Sequence, residues 1–388
     1  MPHVYGLQSA QADFQKRAAA LASGELNAHA ADVDAKGRFP QESVAALARE
    51  GFLGLCVPEQ FAGAGQGPRV FAAVAEELAQ GCSSTAMIFV MHVAATQAIA
   101  ASPTLARKDD VLRSIAAGAH LTTLAFSEKG SRSQFWAPVS ALANSNGGFV
   151  ASAEKSWVTS AHYADSYVSS AQKPGAASPL ESTLYLINRT NSGVRVHGSF
   201  DGLGLRGNDS APAIIERASV ARDDLITPLG EGAAAMLQVV LPWFNIGTAA
   251  MANGLCRAAT IATAAHLQRT GFAHTGTSLR DLPTLRARLA DMSVRTEQAR
   301  AFLGYALGEI EHPSDATPLF VLQTRLASIE AALDVTELAM KTCGGAAFSR
   351  QLPVERIFRD ARAGWVMAPT ADHLRDFVGR ALTGLPLF

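Results

Sequence analysis

The spacing of hydrophobic and polar positions changes twice along this chain, and the changes divide it into three parts. Up to about residue 118, segments such as PRVFAAVAEELAQ place apolar residues three to four apart, as in amphipathic helices. From about 119 to 229, segments such as STLYLINR and SGVRVHGSF alternate between apolar and polar residues, as strands do. Long Ala- and Leu-rich helical patterns then return and continue to the C-terminus.

This pattern predicts a mainly α protein with a central β domain. We expect an N-terminal helical domain over residues 1–118 and a middle β-barrel or β-sandwich domain over 119–229. A C-terminal four-helix bundle is expected over 230–388.

Composition narrows the class of ligand. The chain is 48% hydrophobic and 17% charged, which is typical of a folded protein with a well-buried core. Its formal net charge is -1, so no basic surface for nucleic acid or an anionic membrane is expected. A small-molecule substrate is the expected ligand.

Residues 85–100 form the most apolar run, but the run is shorter than the roughly 20 residues that span a bilayer. It also carries His92 and Gln97, so it predicts a buried core helix and no membrane insertion. The four cysteines are widely spaced among apolar neighbours, which argues against a disulfide framework or a metal site. The first residues lack the pattern of a secretory signal, and a cytoplasmic location is expected.

Five local patterns follow one another along the chain. They are FSEKGSRS, EKSWVTSAHYAD, DGLGLRGNDS, RTGF at 269–272, and CGGAAF followed by PVERIFRDAR. In this order, and with helices on both sides of a β domain, they resemble the acyl-CoA dehydrogenase superfamily of FAD flavoproteins over essentially the whole chain. The resemblance implies FAD as the cofactor, a substrate that can be an acyl-CoA, and assembly as a homodimer or homotetramer.

Two patterns carry the residues that the resemblance places against the flavin. Strand alternation puts Trp157 and Thr159 on one face, where the family packs this pair on the flavin ring. A plain cross-strand packing pair is the alternative. Ser127 and Ser133 fall on the hydroxyl positions of a family loop that binds the cofactor, and Arg132 between them could also serve an anionic ligand.

A second set of residues resembles those that bind the FAD of a neighbouring subunit. Arg269, followed by Phe272, matches an arginine that clamps the FAD pyrophosphate, a bidentate task suited to guanidinium. Gly344 and Gly345 match paired glycines that let backbone approach the adenosine phosphates, and Lys341 stands where relatives carry Gln. A solvated arginine and a helix C-cap are the alternative interpretations.

The usual catalytic carboxylate has no counterpart. The charged stretch ERIFRDAR resembles a structural ion-pair lattice of the family, and it is followed at a fixed distance by Glu-Gly-Thr in typical dehydrogenases. That Glu removes the α-proton of the thioester. Here the triplet is Ala368-Pro369-Thr370, and Thr370 is expected to cap the last helix. A second family location for the base falls near Trp243, where no carboxylate occurs either.

Two residues are candidate replacements for the base. Asp372 lies just past Thr370, where relatives often place a side chain on the flavin, and His373 follows it. The resemblance places Thr370 and Asp372 beside the cofactor as well. His92 would face the acyl pocket in a family-like fold, although a lone His on an apolar helix is more often a core residue.

Three functional classes follow. The first is an FAD-dependent oxidoreductase of the acyl-CoA dehydrogenase type with a non-standard or absent base. The second is a flavin-dependent monooxygenase, because a branch of the superfamily that lacks the Glu hydroxylates its substrates. The third is a catalytically silent partner subunit. Retention of the flavin-facing residues favours an enzyme, and we rank the oxidoreductase first. An electron-transfer partner or a flavin reductase is an expected partner.

Overall fold

The structure is a computed structural model that describes residues 4–387. Its N-terminal part is helical, as the spacing of apolar residues predicts. The helices are α1 (Ser9–Leu21), α2 (Asn27–Lys36), α3 (Gln41–Arg49), α4 (Pro68–Gly81), α5 (Ser83–Ala100) and α6 (Lys108–Ala116), and a π-helical turn at Ala22–Leu26 joins α1 to α2. α5 is apolar on all sides because it is buried on all sides, which confirms the predicted core helix.

The middle part consists of two small sheets. The strands are β1 (Thr122–Ala125), β2 (Ala143–Ser145), β3 (Gly148–Val158), β4 (Ser166–Gln172), β5 (Ser182–Asn188), β6 (Val194–Val196) and β7 (Ala211–Ala221). One sheet has the order β1-β4-β5 and the other β2-β3-β7-β6. Only the pairing of β1 with β4 is parallel among the strands described. β4 and β5 are almost entirely buried, whereas β7 alternates between buried and exposed positions.

Helices form the rest of the chain. They are α7 (Gly232–Ala235), α8 (Leu241–Arg269), α9 (Pro283–Glu311), α10 (Thr317–Cys343), α11 (Gly345–Phe348), α12 (Val354–Ala361), α13 (Ala363–Val366) and α14 (Ala371–Leu382), with a π-helical turn at Met236–Val240 before α8. The long helices α8, α9 and α10 pack on one another, and α14 packs on α10, which gives a four-helix bundle. The predicted class, mainly α with a central β domain, is confirmed.

A buried ionic cluster ties the N-terminal helices to the bundle. Glu76 of α4 is fully buried, and its carboxylate accepts hydrogen bonds from Arg257 of α8 at 2.8 Å and from Arg300 of α9 at 3.1 Å. The Tyr5 hydroxyl donates to the same carboxylate. Because a buried charge is stable only when it is paired, this cluster fixes how α4 docks on α8 and α9.

Two helical stretches of the described chain are long and apolar enough to cross a membrane by length and composition. They are Ser83–Ala100 and Gly232–Arg269, and 83% and 61% of their most apolar windows are buried within the protein. Both pack in the core of the fold, where the same composition is required.

Candidate active site

A cavity of about 1090 Å³ lies where the three parts of the chain meet. Met87 and Met91 of α5 line one side, and Leu241 and Phe244 at the start of α8 line another. Residues of the 127–133 segment line the side formed by the β domain. A mostly apolar cavity of this size between domains, with a few polar groups on its wall, is the usual form of a ligand site.

The structure brings together four of the residues that were predicted to contact a flavin. Ser127, Ser133, Trp157 and Thr159 all line the cavity. Thr159 is buried, and its Oγ1 lies 3.1 Å from the hydroxyl of Ser210, which also lines the cavity. Hydroxyl groups and the large aromatic ring of Trp157 therefore line the same cavity.

The position of Trp157 depends on an irregularity in β3. The register of β3 against β7 shifts between Lys155 and Val158, and Trp157 within the shift has a φ of 58°. Strict alternation along the strand is therefore broken at this residue. The indole is 66% exposed and lies edge-on to the Phe200 ring, with 6.1 Å between ring centroids. The bulge turns the ring toward the cavity and away from a cross-strand packing pair.

Glu128 is the only carboxylate on the cavity wall within residues 4–387, and it is fully engaged. Lys155 Nζ lies 2.6 Å from it, and the amides of Val139 and Ser140 donate to it at 2.7 and 2.8 Å. Burial by itself raises the pKa of Glu128, but the charge and hydrogen bonds of Lys155 outweigh burial and hold it below its ordinary value. Such a carboxylate holds the segment around Val139 and Ser140 in place, and it is a poor proton acceptor.

Sequence reasoning missed this pair. The sequence places Lys155 in a predicted strand, but its burial and its pairing with Glu128 depend on how that strand packs, which the spacing of residues does not show.

Ala368 lies on the cavity wall beside Met367, at the position where the family resemblance expects a catalytic Glu. At the second expected location, Trp243 packs on the Phe71 ring, with 5.5 Å between centroids. The other charged residues on the wall are cationic: Lys129, Arg132, Arg359 and Arg362. Within the described chain, the cavity wall thus offers no free carboxylate.

His92 does not face the cavity, and the structure corrects this expectation. The ring is fully buried, with Nε2 3.0 Å from the Leu53 carbonyl oxygen, and Nδ1 accepts a hydrogen bond from the Thr122 amide at 3.1 Å. Burial lowers the pKa of His92 to about 4. Both ring nitrogens are occupied by backbone, so His92 is a core residue that joins α5 to its neighbours.

Asp372 also lies off the cavity wall. Its side chain is 91% exposed and forms an ion pair with Arg375 at 3.2 Å, so within this chain it does not reach the cavity as a base would. The next residue, His373, lies closer to the cavity. Its Nδ1 is 3.0 Å from the hydroxyl of Ser133, which is a lining residue. Thr370 caps α14 as predicted, since its side chain accepts the His373 amide at 3.3 Å.

The ERIFRDAR stretch is held by structural contacts. Arg359 lies 2.6 Å from Asp34 and 2.8 Å from Glu355, and buried Asp360 accepts a hydrogen bond from Ser83 at 2.6 Å. Burial raises the pKa of Asp360 to about 6. These contacts fix α12 against the N-terminal helices and confirm the predicted ion-pair lattice.

The residues predicted to serve a neighbouring subunit lie at the ends of α8 and α10, and none lines the cavity. Arg269 and Lys341 are exposed, and Phe272 is partly exposed. Gly344 ends α10 with a φ of 57°, and the positions of an added Cβ on Gly344 and Gly345 meet open space. The glycines form a helix end as well as an open surface.

Arg325 of α10 was not singled out in the sequence, and it lies directly behind the cavity wall. It is fully buried, and it donates to the Met367 carbonyl oxygen at 3.0 Å and to Asn245 Oδ1 at 3.1 Å. Its guanidinium lies over the Phe244 ring, 4.8 Å from the centroid. An arginine within an apolar helical stripe is the only sequence signal for it.

Comparisons with known protein sequences all point to one family. Three sequence models of one family match the chain, for the acyl-CoA dehydrogenase N-terminal domain (residues 8–119), middle domain (123–218) and C-terminal domain (230–383). The mitochondrial short-chain specific acyl-CoA dehydrogenase of Bos taurus is 28% identical over 354 residues, covering 91% of this chain and 85% of that protein.

Solved structures agree on the fold. The chain resembles butyryl-CoA dehydrogenase from Megasphaera elsdenii with a TM-score of 0.91 at 21% identity, over 97% of this chain and 99% of that one. It resembles the FAD complex of PigA with a TM-score of 0.90 at 21% identity, over 97% and 98%. The three-domain architecture is therefore that of acyl-CoA dehydrogenase-like oxidoreductases. The chain belongs to the acyl-CoA dehydrogenase family.

Proposed function

We propose that this protein is an FAD-dependent oxidoreductase that acts on an acyl thioester or a related substrate without a carboxylate base at Ala368. One observation carries the proposal: Trp157, Thr159, Ser127 and Ser133 line the same cavity as Ala368. The residues proposed to bind the flavin and the position of the missing base therefore lie in one cavity.

The cofactor is FAD, and the residues of the cavity fit it. An exposed indole beside several hydroxyl groups suits a flat ring system with a polar edge. Trp157 and Thr159 would hold the ring, and Ser127 and the backbone of the loop up to Ser133 would bind its polar edge or the phosphates, which leaves the Ser133 hydroxyl free for the substrate. When bound, FAD supplies a hydride acceptor next to the space lined by Ala368.

A neighbouring subunit would complete the cofactor site. The open, exposed ends of α8 and α10 carry Arg269, Phe272, Lys341, Gly344 and Gly345, which suit the phosphates of a cofactor held by another copy of the chain. Half-buried Thr370 and exposed Asp372, at the start of α14, are further candidates for this contact. We therefore propose a homodimer or homotetramer, located in the cytoplasm, with an electron-transfer partner that reoxidises the flavin.

The proton acceptor offered by the geometry is His373, acting through Ser133. Oxidation of an acyl thioester removes an α-proton and a β-hydride and leaves a double bond between the two carbons. The Ser133 hydroxyl would take the α-proton while its own proton passes to Nδ1 of His373, 3.0 Å away. The electron pair of the broken C–H bond stays on the substrate as the double bond forms.

This step is tested by hydrogen exchange at the α-carbon of butanoyl-CoA in D₂O, followed by NMR. His373→Gln should lose most of the exchange, on the order of a hundredfold in rate, as for a lost general base. Asp376→Asn, an exposed change on the same helix, should retain it. Loss of exchange in Asp372→Asn with normal exchange in His373→Gln would restore Asp372 as the base.

A flavin-dependent monooxygenase is the second candidate, favoured by the absence of a free carboxylate on the described cavity wall. Such an enzyme needs no strong base beside the α-carbon, and its partner would be a flavin reductase. A silent partner subunit is the third candidate, and it predicts neither activity.

Anaerobic mixing separates these candidates. FAD-loaded protein is mixed with a panel of acyl-CoA thioesters while the absorbance of the oxidised flavin is followed. Bleaching by one thioester supports the oxidoreductase. Absence of bleaching, together with oxygen consumption and substrate oxygenation when reduced flavin is supplied, would replace it with the monooxygenase.

A further inference from the structure

Arg325 carries a buried positive charge that no carboxylate neutralises within residues 4–387. Its two hydrogen-bond acceptors, the Met367 carbonyl and the Asn245 side chain, are both neutral. Burial lowers the pKa of Arg325 to about 9, which still leaves the guanidinium charged at neutral pH. A buried charge without a counter-ion is costly, and the two neutral acceptors and the Phe244 ring leave the positive charge itself unneutralised.

The surroundings of Arg325 lack acceptors as well. Arg325 Nε, Asn245 Nδ2 and the Ser328 hydroxyl are buried and have no hydrogen-bond partner in the described chain. All three can donate a hydrogen bond. A positive charge together with unused hydrogen-bond donors makes the surroundings electrostatically favourable for an anion.

This cation lies next to the space left by the missing catalytic carboxylate. Arg325 Nη2 is 3.0 Å from the carbonyl oxygen of Met367, the residue bonded to Ala368. Standard backbone dimensions then place the guanidinium within roughly 6 Å of the Ala368 Cα. Ala368, Met367 and Phe244 line the cavity, and the Arg325 guanidinium contacts both the Phe244 ring and the Met367 carbonyl oxygen.

We propose that the part of the cavity between Ala368 and Phe244 is an anion subsite, and that the substrate places a carboxylate or a similar acidic group of its acyl portion there. The inference rests on the proposed function, because it names the class of substrate for the same cavity. Direct contact with the guanidinium is not required, since a unit charge acts across one ring in a poorly screened interior. At a separation of about 8 Å, such a charge favours an anionic ligand about tenfold or more.

The test uses FAD-loaded protein and pairs of thioesters of equal chain length: butanoyl- with succinyl-CoA, and pentanoyl- with glutaryl-CoA. Dissociation constants come from the shift of the flavin spectrum on rapid anaerobic mixing, recorded before the oxidised band is bleached. We expect at least one ω-carboxyl thioester to bind about tenfold more tightly than its neutral partner. Equal binding, or tighter binding of the neutral member in both pairs, would overturn the proposal.

Two variants remove the preference by opposite routes. Arg325→Met removes the cation, and Ala368→Glu supplies an internal carboxylate that competes for it; both should bring the ratio of the two constants close to one. Arg325→Lys keeps the charge and should retain most of the preference. Arg132→Met removes an exposed cation elsewhere on the wall and should weaken both members of a pair alike. A preference that persists in Arg325→Met also overturns the proposal.

Failure of the proposed function would look different. If no thioester of either kind perturbs the flavin, the acyl-thioester assignment fails, and the anion subsite is tested alone with glutarate and glutaramide. Glutarate binding that is lost in Arg325→Met would uphold the subsite, and absence of glutarate binding to the wild type would reject it. If Arg325→Met does not fold, the comparison of Arg325→Lys with Ala368→Glu decides the outcome.

Discussion

Replacing Lys155 by Met should destabilise the protein strongly, because it leaves the Glu128 carboxylate buried without its counter-ion. The two side chains are 0% and 3% exposed, and their charged atoms lie 2.6 Å apart. Breaking a buried pair from one side costs about 3–5 kcal/mol. Glu128 can escape part of this cost by taking up a proton, and from an ordinary pKa near 4.3 that costs about 4 kcal/mol at pH 7. We therefore expect a loss of about 3–4 kcal/mol in the free energy of unfolding.

Scanning calorimetry and chemical denaturation measure this loss. For a chain of 388 residues that unfolds as one unit, it lowers Tm by about 5 °C, and by more if the middle domain unfolds alone. The matched control is Lys129→Met, which breaks a 3.4 Å ion pair whose side chains are 81% and 64% exposed. That change should cost less than about 0.5 kcal/mol.

The pH dependence gives a second check. The pKa of Glu128 is lowered in the folded protein, so its stabilising contribution is present above the unfolded pKa and is lost as pH falls through the folded one. In Lys155→Met, protonation of Glu128 costs less free energy as pH falls. The difference in the free energy of unfolding between wild type and variant should therefore shrink by about 1.4 kcal/mol per pH unit between pH 7 and 5. An equal loss in Lys155→Met and Lys129→Met, or a gap that does not change with pH, would refute the reasoning.

Three further predictions follow from other parts of the structure. Arg269→Ala should weaken FAD retention at least tenfold, measured by equilibrium dialysis, because a charge and two donors vanish; unchanged FAD affinity would contradict the subunit-bridging cofactor site. Ala368→Glu should reduce its flavin faster than the wild type when an acyl-CoA is added, followed at the oxidised flavin band, and Ala368→Gln is its uncharged control; equal rates in both would exclude a new base. Glu76→Gln should lower the free energy of unfolding by about 3 kcal/mol, since Arg257 and Arg300 lose their shared carboxylate; a change below 1 kcal/mol in denaturation would show that the cluster is not what holds α4 to the bundle.

The periodicity of the chain was enough to predict the fold class. The spacing of apolar residues shows which side of each helix or strand faces the core. Because this spacing is set within each element, it can be read from short stretches of sequence. The motifs likewise pointed to Trp157, Thr159, Ser127 and Ser133 as one set, and all four line one cavity in the structure. The absence of a carboxylate at Ala368 could be read from the sequence because its distance from ERIFRDAR is fixed along the chain.

The candidate bases show where sequence reasoning stopped. Asp372 and His373 are adjacent in sequence, but successive residues on a helix point about 100° apart, so only the docking of α14 decides which one reaches Ser133. His92 looked available on an apolar helix, yet backbone groups distant in sequence occupy both of its nitrogens.

The sequence by itself determined the order of helices and strands, the set of residues proposed to face the flavin and the alanine at the position expected for the usual Glu, because each depends on short-range spacing. The tertiary structure decided the electrostatics. Whether Glu128 is a base or a locked ion pair, and whether Arg325 is solvated or buried without a counter-ion, depends on groups brought together from distant parts of the chain. Burial and pairing set the energy of a charge, and neither is visible until the chain is folded.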